Sequence, residues 1–282
     1  MLVFKRVNDL REWLKLQRKA NMTIGYVPTM GALHDGHLQL INASVKQCQI
    51  TICTIFVNPT QFNDKKDFQK YPVTIERDIE KLVASGTDAL FLPPVEEVYP
   101  DGLNSSEFFE LGTLENKLEG AFRPGHFQGV CQVVSRFLSI IEPDIIFMGQ
   151  KDYQQCLVIK KLVRLKNYPV KVEICPTLRE SDGLAMSSRN VRLNEVERLD
   201  SVYMSRMLNM LKSEITPGNL SALEEKGKNY LLSHGFMSVD YVSFCNAEDL
   251  EPVTIWDGHQ PLVILTAATI GNVRLIDNMP LS

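Results

Sequence analysis

Residues 28–37, Pro-Thr-Met-Gly-Ala-Leu-His-Asp-Gly-His, decide the fold and much of the chemistry of this chain. The five residues before them, Thr-Ile-Gly-Tyr-Val at 23–27, form a short apolar run that is typical of a buried strand. The stretch 38–45 that follows has the apolar spacing of one helix face. His34 and His37 therefore lie three residues apart where a strand gives way to a helix, so both rings can face one ligand.

The same junction has the properties of an anion site. Gly31 and Gly36 let a ligand approach the main chain and tolerate positive φ. A helix start adds unpaired N–H donors and partial positive charge, which favour phosphate. We predict that this loop binds the phosphates of a nucleotide; the alternative is a pair of capping or core histidines. Zinc is disfavoured, because the motif lacks the glutamate and the spacing of His-Glu-x-x-His.

The composition is that of an ordinary soluble globular protein with room for two domains. Of the 282 residues, 44% are hydrophobic and 23% are charged, and the net charge is −4. A mildly acidic chain is a poor candidate for general nucleic-acid binding. No apolar run approaches the roughly 18 residues of a membrane span, so we expect neither nucleic acid nor membrane as a partner.

The six cysteines are scattered, and several lie inside apolar runs. This usage predicts small buried side chains in a reducing compartment. The first residues lack the pattern of a signal peptide. We therefore expect a cytoplasmic enzyme or binding protein.

Strand-like and helix-like segments alternate over the first 175 or so residues. The apolar runs are 23–27, 50–57, 88–92, 144–148 and 170–175, and the amphipathic stretches are 38–48, 74–85, 127–141 and 152–166. This alternation predicts a doubly wound, Rossmann-like α/β domain with a parallel sheet, spanning residues 1–178. The polar segments 28–37, 58–62 and 149–155 each follow a strand, so they should meet at the carboxyl edge, where such sheets bind ligands.

The pattern changes beyond residue 178. A polar, loop-like stretch at 179–189 precedes two helical stretches, and strand-like runs come after them; these four elements are expected at 194–213, 219–233, 237–245 and 262–268. We predict a smaller α+β domain over 179–282, joined to the first near Pro176.

Other polar segments supply candidate ligand-binding side chains. Asn58 and Gln61 offer amide groups suited to a small polar substrate, or form an Asn-Pro turn. Lys151 can place a positive charge on phosphate, and Asp152 can cap a helix or hold a ribose; the alternative is a solvated helix start. Gln155, three residues after Asp152, faces the same side.

Two loops leave both a structural and a functional interpretation open. The Gly/Pro-rich loop with Arg123 and His126 is either structural or a wall or lid of the site. Met-Ser-Ser-Arg at 186–189 offers two hydroxyls and a guanidinium that can close over a triphosphate. Taken alone, Ser-Ser-Arg is also common on protein surfaces.

In order, these motifs resemble the pantothenate synthetase family, the pantoate–β-alanine ligases, among nucleotidyltransferases with HIGH and KMSKS signatures. The resemblance spans essentially the whole chain and rests on residues 28–37, 56–62, 123–130, 149–155, 182–190 and 274–278. Gln132 and Arg136 stand where the family favours Thr and Lys, and they can alter the wall of the site.

The resemblance implies ATP-dependent condensation of (R)-pantoate with β-alanine to pantothenate through pantoyl adenylate, with release of AMP and pyrophosphate. It implies Mg²⁺ bound with ATP and no dedicated metal site on the protein. The implied partners are the small molecules ATP, pantoate and β-alanine, and a second copy of the chain in a homodimer.

Site roles are carried over by motif. The resemblance assigns catalysis to His34, His37 and Lys151, with His37 as the proton donor and Lys151 on phosphate oxygens. The implied ATP-binding residues are Met30, Gly31, Ala32, Leu33, His34, Asp35, Gly36, His37, Gly149, Gln150, Lys151, Asp152, Leu178, Met186, Ser187, Ser188 and Arg189. The implied pantoate and β-alanine residues are Gln61, Gln155 and Asn58.

Two other functions compete with this interpretation. A nucleotidyltransferase of the same superfamily would share the histidine motif but leave the nucleotide on its product. A nucleotide-sensing protein would keep the pocket without turnover; retention of both histidines, Lys151 and the Ser-Ser-Arg loop argues against it. ATP consumption that depends on a second substrate discriminates between these functions.

Overall fold

The computed structural model describes residues 1–62, 68–69, 71–103 and 107–281. The chain forms two compact units, Met1–Gln150 with Gln155–Pro176, and Lys151–Gln154 with Thr177–Ser282. Ser282, the last residue of the predicted second domain, lies outside the described residues.

The first unit is built on a parallel sheet with helices packed around it, as predicted; the sheet has six strands, one more than the sequence pattern indicates. Its strands are β1 (Leu2–Phe4), β2 (Ile24–Thr29), β3 (Ile50–Ile55), β4 (Ala89–Phe91), β5 (Ile145–Gly149) and β6 (Lys171–Cys175). The helices are α1 (Val7–Lys19), α2 (Asp35–Gln47), α3 (Ile75–Ala84), α4 (Val95–Val98), α5 (Glu119–Phe122), α6 (His126–Ile141) and α7 (Tyr153–Leu165). Every residue of β3 is buried, as expected for a strand covered on both faces.

The strand order β1-β4-β3-β2-β5-β6 places the switch point of the sheet between β2 and β5. From β2 the chain moves outward through β3 and β4, whereas β5 and β6 lie on the other side. All neighbouring strands run parallel, so β3, β2 and β5 end side by side at the same edge. The prediction that the segments following these strands leave from one edge is confirmed.

The core of the first unit lies on both faces of this sheet. On one face, the rings of Tyr26, Phe56 and Phe91 each pack edge-on against Phe137 of α6. On the other face, buried side chains of β2 and β3 pack with α2; this cluster includes Val27, Ile41 and Ile55. Two helices thus hold the central strands from opposite sides.

The second unit is a small α+β fold. Its elements are α8 (Glu195–Asp200), α9 (Tyr203–Glu214), β7 (Gly218–Asn219), α10 (Ser221–Leu232), β8 (Ser238–Asn246), β9 (Ile255–Trp256), β10 (Leu262–Ile270) and β11 (Val273–Pro280). The antiparallel sheet has the order β11-β10-β8, and a two-stranded ribbon pairs β7 with β9. The apolar faces of α9, α10 and the sheet form its core.

The structure adds elements that the sequence pattern does not predict. The predicted helical stretch 194–213 is two helices, since the chain turns at Ser201, whose hydroxyl donates to the carbonyl of Arg198. Strand β11 was not predicted because polar residues interrupt its apolar pattern, although Asp277 and Asn278 are buried. Strand β1 and helix α1, at the N-terminus, were also not predicted.

All six cysteines are buried thiols, as predicted. Burial raises the pKa of both Cys53 and Cys131 to about 12. Among the described residues, no helix is both long enough and apolar enough to cross a membrane.

Candidate functional site

The two histidines meet at the first turn of α2. His34 is the N-cap residue in extended conformation, and His37 is the third residue of the helix. Their ring centroids are 4.1 Å apart. The structure therefore brings together the two rings whose spacing predicts a shared face. We call Met30–His37 the histidine turn.

A main-chain contact sets the tautomer of His37. The backbone N–H of His34 points at Nδ1 of His37, with 3.4 Å between the nitrogens. A nitrogen that accepts a hydrogen bond carries no proton, so neutral His37 has its proton on Nε2. His37 therefore offers an Nε2–H donor beside a helix N-terminus, which is suited to an anionic oxygen.

A buried carboxylate of α3 holds the histidine turn from behind. Asp78 is only 1% exposed, and its two oxygens accept the backbone N–H groups of Ala32 at 2.9 Å and Leu33 at 2.8 Å. The hydroxyl of Thr74 donates to the same carboxylate at 3.1 Å. Sequence reasoning missed Asp78, because an aspartate in an amphipathic helix normally lies on its solvated face.

The main chain of the histidine turn is tightly bent. Gly31 and Ala32 both have positive φ, at 85° and 50°. A Cβ on Gly31 would lie 3.1 Å from Ile55 and 3.2 Å from a carboxylate oxygen of Asp78. The turn thus needs glycine at position 31, and the two bonds to Asp78 stabilise the uncommon conformation of Ala32.

Asn58 and Gln61 form an amide pair at the end of β3. Asn58 is 1% exposed, and its amide nitrogen donates to Gln61 Oε1 at 3.2 Å and to the Gly129 carbonyl at 3.1 Å. The Tyr99 hydroxyl donates to Asn58 Oδ1 at 2.8 Å; burial raises the pKa of Tyr99, which keeps this donor protonated. Both ends of the Asn58 amide are thus engaged within the protein, and Asn58 orients Gln61. The amide nitrogen of Gln61 lies 2.9 Å from the sulfur of Met30.

The loop with Arg123 and His126 supports this amide pair. His126 Nδ1 donates to the carbonyl of Gln61 at 2.8 Å, so its Nε2 accepts from Arg123 at 3.1 Å. Helix α6 also lies close to the turn Pro59–Gln61. A Cβ on Gly129 would lie only 2.3 Å from the carbonyl oxygen of Thr60. The contacts of this loop favour the structural interpretation.

The segment after β5 is shared between the two units. Gly149 and Gln150 belong to the first unit, whereas Lys151 and Asp152 belong to the second. The Lys151 ammonium lies 3.5 Å from a carboxylate oxygen of Asp152, and its side chain is 18% exposed. Gln155 is half-buried in the first turn of α7.

The remaining predicted ATP residues lie in the second unit. The backbone N–H of Met186 donates to the carbonyl of Leu178 at 3.0 Å, which brings the two predicted residues together. The Ser187 hydroxyl accepts the backbone N–H of Arg189 at 3.3 Å and so caps a short 3-10 turn, Ser188–Arg192. All four residues of the Met-Ser-Ser-Arg stretch are half-buried.

The donors on these segments are suited to anions. They are backbone N–H groups, imidazole, ammonium, hydroxyl and guanidinium groups, which bind phosphate oxygens. Within the part of the chain that the structure describes, no three His, Cys, Asp or Glu side chains are grouped as metal ligands.

Residues 2–280 match the model of the pantoate–β-alanine ligase family. The chain belongs to this family. The pantothenate synthetases of Porphyromonas gingivalis and Alcanivorax borkumensis are each 42% identical to it, over 282 and 278 residues; these alignments cover 99% and 98% of this chain and 99% and 96% of the relatives.

Solved structures show the same fold. Pantothenate synthetase from Thermus thermophilus superposes with a TM-score of 0.91 at 36% identity, covering 100% of this chain and 99% of that one. Pantoate–β-alanine ligase from Francisella tularensis, complexed with β,γ-ATP and β-alanine, gives a TM-score of 0.83 at 35% identity, covering 100% and 98%. This membership makes the protein an enzyme, a ligase of the pantothenate-forming reaction.

Proposed function

We propose that this ligase joins pantoate to β-alanine through pantoyl adenylate, with Mg²⁺-bound ATP as co-substrate. In the first half-reaction, a pantoate carboxylate oxygen attacks the α-phosphorus of ATP and pyrophosphate leaves. In the second, the β-alanine amine attacks the activated carbonyl, AMP leaves and the nitrogen loses a proton. The observation that carries the proposal is the pair of imidazoles, His34 and His37, with ring centroids 4.1 Å apart at the start of α2, at the carboxyl edge of the sheet.

The first half-reaction builds negative charge on the leaving pyrophosphate. We assign stabilisation of this charge to His34, His37 and Lys151, with His37 as the proton donor and Lys151 bound to phosphate oxygens. Chemistry of this kind depends on oriented donors more than on covalent catalysis.

The nucleotide is assigned to four segments of the chain. They are Met30–His37, Gly149–Asp152, Leu178 and Met186–Arg189. The hydroxyls of Ser187 and Ser188 and the guanidinium of Arg189 are suited to close on the triphosphate. Closure would exclude water, which otherwise hydrolyses an acyl adenylate.

The acid and the amine are assigned to the amide side chains. Gln61 and Gln155 would bind pantoate, and Gln61 with Asn58 would border the β-alanine path. The contacts of Asn58 support an indirect role, in which it aims the amide of Gln61 at the substrate. Mg²⁺ would arrive with ATP, held by phosphate oxygens and water as is common for this ion.

We further propose a cytoplasmic homodimer. Six buried thiols are consistent with a reducing compartment. Phe108 and Phe122 of the first unit are 65% and 51% exposed, and a second copy could cover such rings. Light scattering tests the dimer, because one chain has a mass of 32.0 kDa. A single species at that mass would overturn it.

ATP–pyrophosphate exchange tests the reaction. The purified protein is given Mg²⁺ and ATP, with pantoate and β-alanine added singly and together. We expect exchange with pantoate alone, net AMP only with both substrates, and loss of both signals when EDTA removes Mg²⁺. Absence of any dependence on pantoate would overturn the proposal.

A further inference from the structure

The motif at residues 274–278 forms part of β11 and has no role in the proposed reaction so far. Its last two residues, Asp277 and Asn278, are 4% and 2% exposed. Buried polar side chains in a strand are costly unless they bind a partner. Each of these two binds a different segment of the second unit.

Asp277 holds the base of the loop that carries the Met-Ser-Ser-Arg stretch. Its two oxygens accept both terminal nitrogens of Arg179, at 2.6 and 2.9 Å. Arg179 also donates to the carbonyl of Gly183 at 3.1 Å and forms an antiparallel bridge with Ala185. The ion pair therefore fixes both strands of the hairpin that leads into Met186.

Asn278 holds the segment that carries Lys151, the second segment proposed to bind phosphate. Its amide nitrogen donates to the main-chain carbonyl of Lys151 at 2.9 Å. A second tie lies two residues further along, where the Tyr153 hydroxyl donates to the carbonyl of Ala247 at 2.8 Å. Both bonds lie within the second unit, to which Lys151–Gln154 belongs although this segment comes between β5 and α7 in the sequence.

We propose that Asp277 and Asn278 are positioning residues that hold Lys151 and the Met-Ser-Ser-Arg loop in one rigid body for adenylation. The inference rests on the proposed function, in which both segments bind the same triphosphate. Asn278 acts through the main chain of Lys151, and Asp277 acts through Arg179. Displacement of a phosphate ligand by about 1 Å is enough to slow a reaction by up to roughly 100-fold.

The test compares the two half-reactions in Asn278→Ala and Asn278→Leu; the second variant keeps the side-chain volume but has no donor. We expect pantoate-dependent ATP–pyrophosphate exchange to fall about 10- to 100-fold. The rate at which β-alanine reacts with supplied pantoyl adenylate should stay within about twofold of the parent, because no pyrophosphate leaves in that step. An equal loss in both half-reactions would indicate a general structural defect and would overturn the proposal.

A double-mutant cycle with Lys151→Ala adds a second criterion. If Asn278 acts through Lys151, its substitution should change exchange by less than about twofold once the ammonium is gone. Additive losses would overturn the proposal. Arg274→Met is the matched control. Arg274 lies in β11, like Asn278, and donates to Asp240 of β8 at 2.6 Å. Removing this contact should leave the ratio of the two half-reactions unchanged.

If the Asn278 variants do not fold, Tyr153→Phe serves as a second test, because it keeps the ring and removes the hydroxyl that forms the second tie. It should show a smaller loss with the same preference for exchange, and unchanged exchange would overturn the proposal. The parent protein separates this inference from the proposed function. No pantoate-dependent exchange in the parent would overturn the function itself, whereas an active parent with an active Asn278→Leu variant would overturn only the positioning role.

Discussion

The histidine turn and the Met-Ser-Ser-Arg loop are both anchored by buried carboxylates from distant parts of the chain, but in different ways. Asp78 accepts two backbone N–H groups of the histidine turn directly. Asp277 acts through the guanidinium of Arg179, which fixes the base of the second loop. The first anchor therefore determines the shape of a turn, and the second determines where a loop starts.

The difference also concerns charge. Two backbone N–H groups and the Thr74 hydroxyl compensate Asp78. An arginine compensates Asp277, so that guanidinium is used inside the protein. The two anchors teach that a buried carboxylate can orient a loop, here one proposed to bind phosphate, either directly or through a second side chain.

The largest effects should come from the groups that we propose bind the leaving pyrophosphate. We expect His37→Ala and Lys151→Ala each to lower turnover by roughly 10²–10³-fold or more, the usual loss for one transition-state donor. Substrate binding should suffer less, as steady-state kinetics can show. Near-parental turnover in both variants would refute these roles and remove the functional basis of the comparison.

The anchor of the histidine turn comes next. In Asp78→Asn, an NH₂ group replaces one of the acceptors that face Ala32 and Leu33, leaving a buried donor without a partner. We expect the free energy of unfolding to fall by about 1–3 kcal/mol, as measured by chemical denaturation. We expect kcat to fall about 10-fold, as measured by ATP–pyrophosphate exchange.

Asp88→Asn is the matched control for that variant. Asp88 also accepts a backbone N–H, that of Thr51 at 2.8 Å, but it precedes β4, whereas the histidine turn follows β2 at the other edge of the same parallel sheet. Stability should fall in the control while kcat stays near the parent value. An equal fall of kcat in both variants would mean that Asp78 has no special role in orienting the turn.

Glycine substitutions compare the backbones of the two loops. Gly31 and Gly183 both have positive φ, at 85° and 99°, so alanine at either position is strained. We expect each substitution to destabilise the protein by about 1–3 kcal/mol, as measured by thermal unfolding. Both should also lower kcat, and Gly31→Ala more strongly, because Gly31 lies inside the histidine turn whereas Gly183 acts only through the hairpin that leads into Met186. The reverse order would contradict the comparison.

The smallest effect on stability is expected for a surface ion pair on the hairpin that leads into the Met-Ser-Ser-Arg loop. Arg198 donates to Asp182 at 2.7 Å, and this hydrogen bond lowers the pKa of Asp182. Because the Asp182 side chain is 38% exposed, solvent screening limits the contribution of the pair to about 0.5 kcal/mol.

The pH dependence of that pair has a definite sign. A carboxyl whose folded pKa is lowered stabilises the protein above its unfolded pKa of about 3.9. The difference in unfolding free energy between the parent and Arg198→Ala should therefore be constant near neutral pH and vanish as the pH falls through the lowered folded value. A difference that grows on acidification would contradict this assignment.

Local pattern was sufficient for the parts of the fold that depend on neighbours in sequence. The apolar runs of β2, β3 and β5 predicted buried parallel strands, and their order placed three polar segments at one edge. The shared face of His34 and His37 lies within one turn, so their spacing predicts it. The contact between Asn58 and Gln61 is equally local, but it was not predicted.

The anchors could not be predicted from the sequence, because each joins residues far apart along the chain. Asp78 looks like a solvated helix residue until its helix packs behind the histidine turn. Asp277 and Asn278 break the apolar pattern of β11, although both are buried. Likewise, no local pattern indicates that Lys151 belongs to the second unit. The catalytic and binding roles carried over by motif stay predictions.

The close approach of Gly129 to Thr60 has a consequence for altering substrate size. Because the main chain of α6 rests directly on the turn that carries Gln61, position 129 offers no side chain to trim. A side chain there would push the turn away, and with it the amide that we propose binds the acid. Redesign of this ligase should therefore start at Met30, whose flexible thioether borders the same amide and can be shortened without moving the backbone.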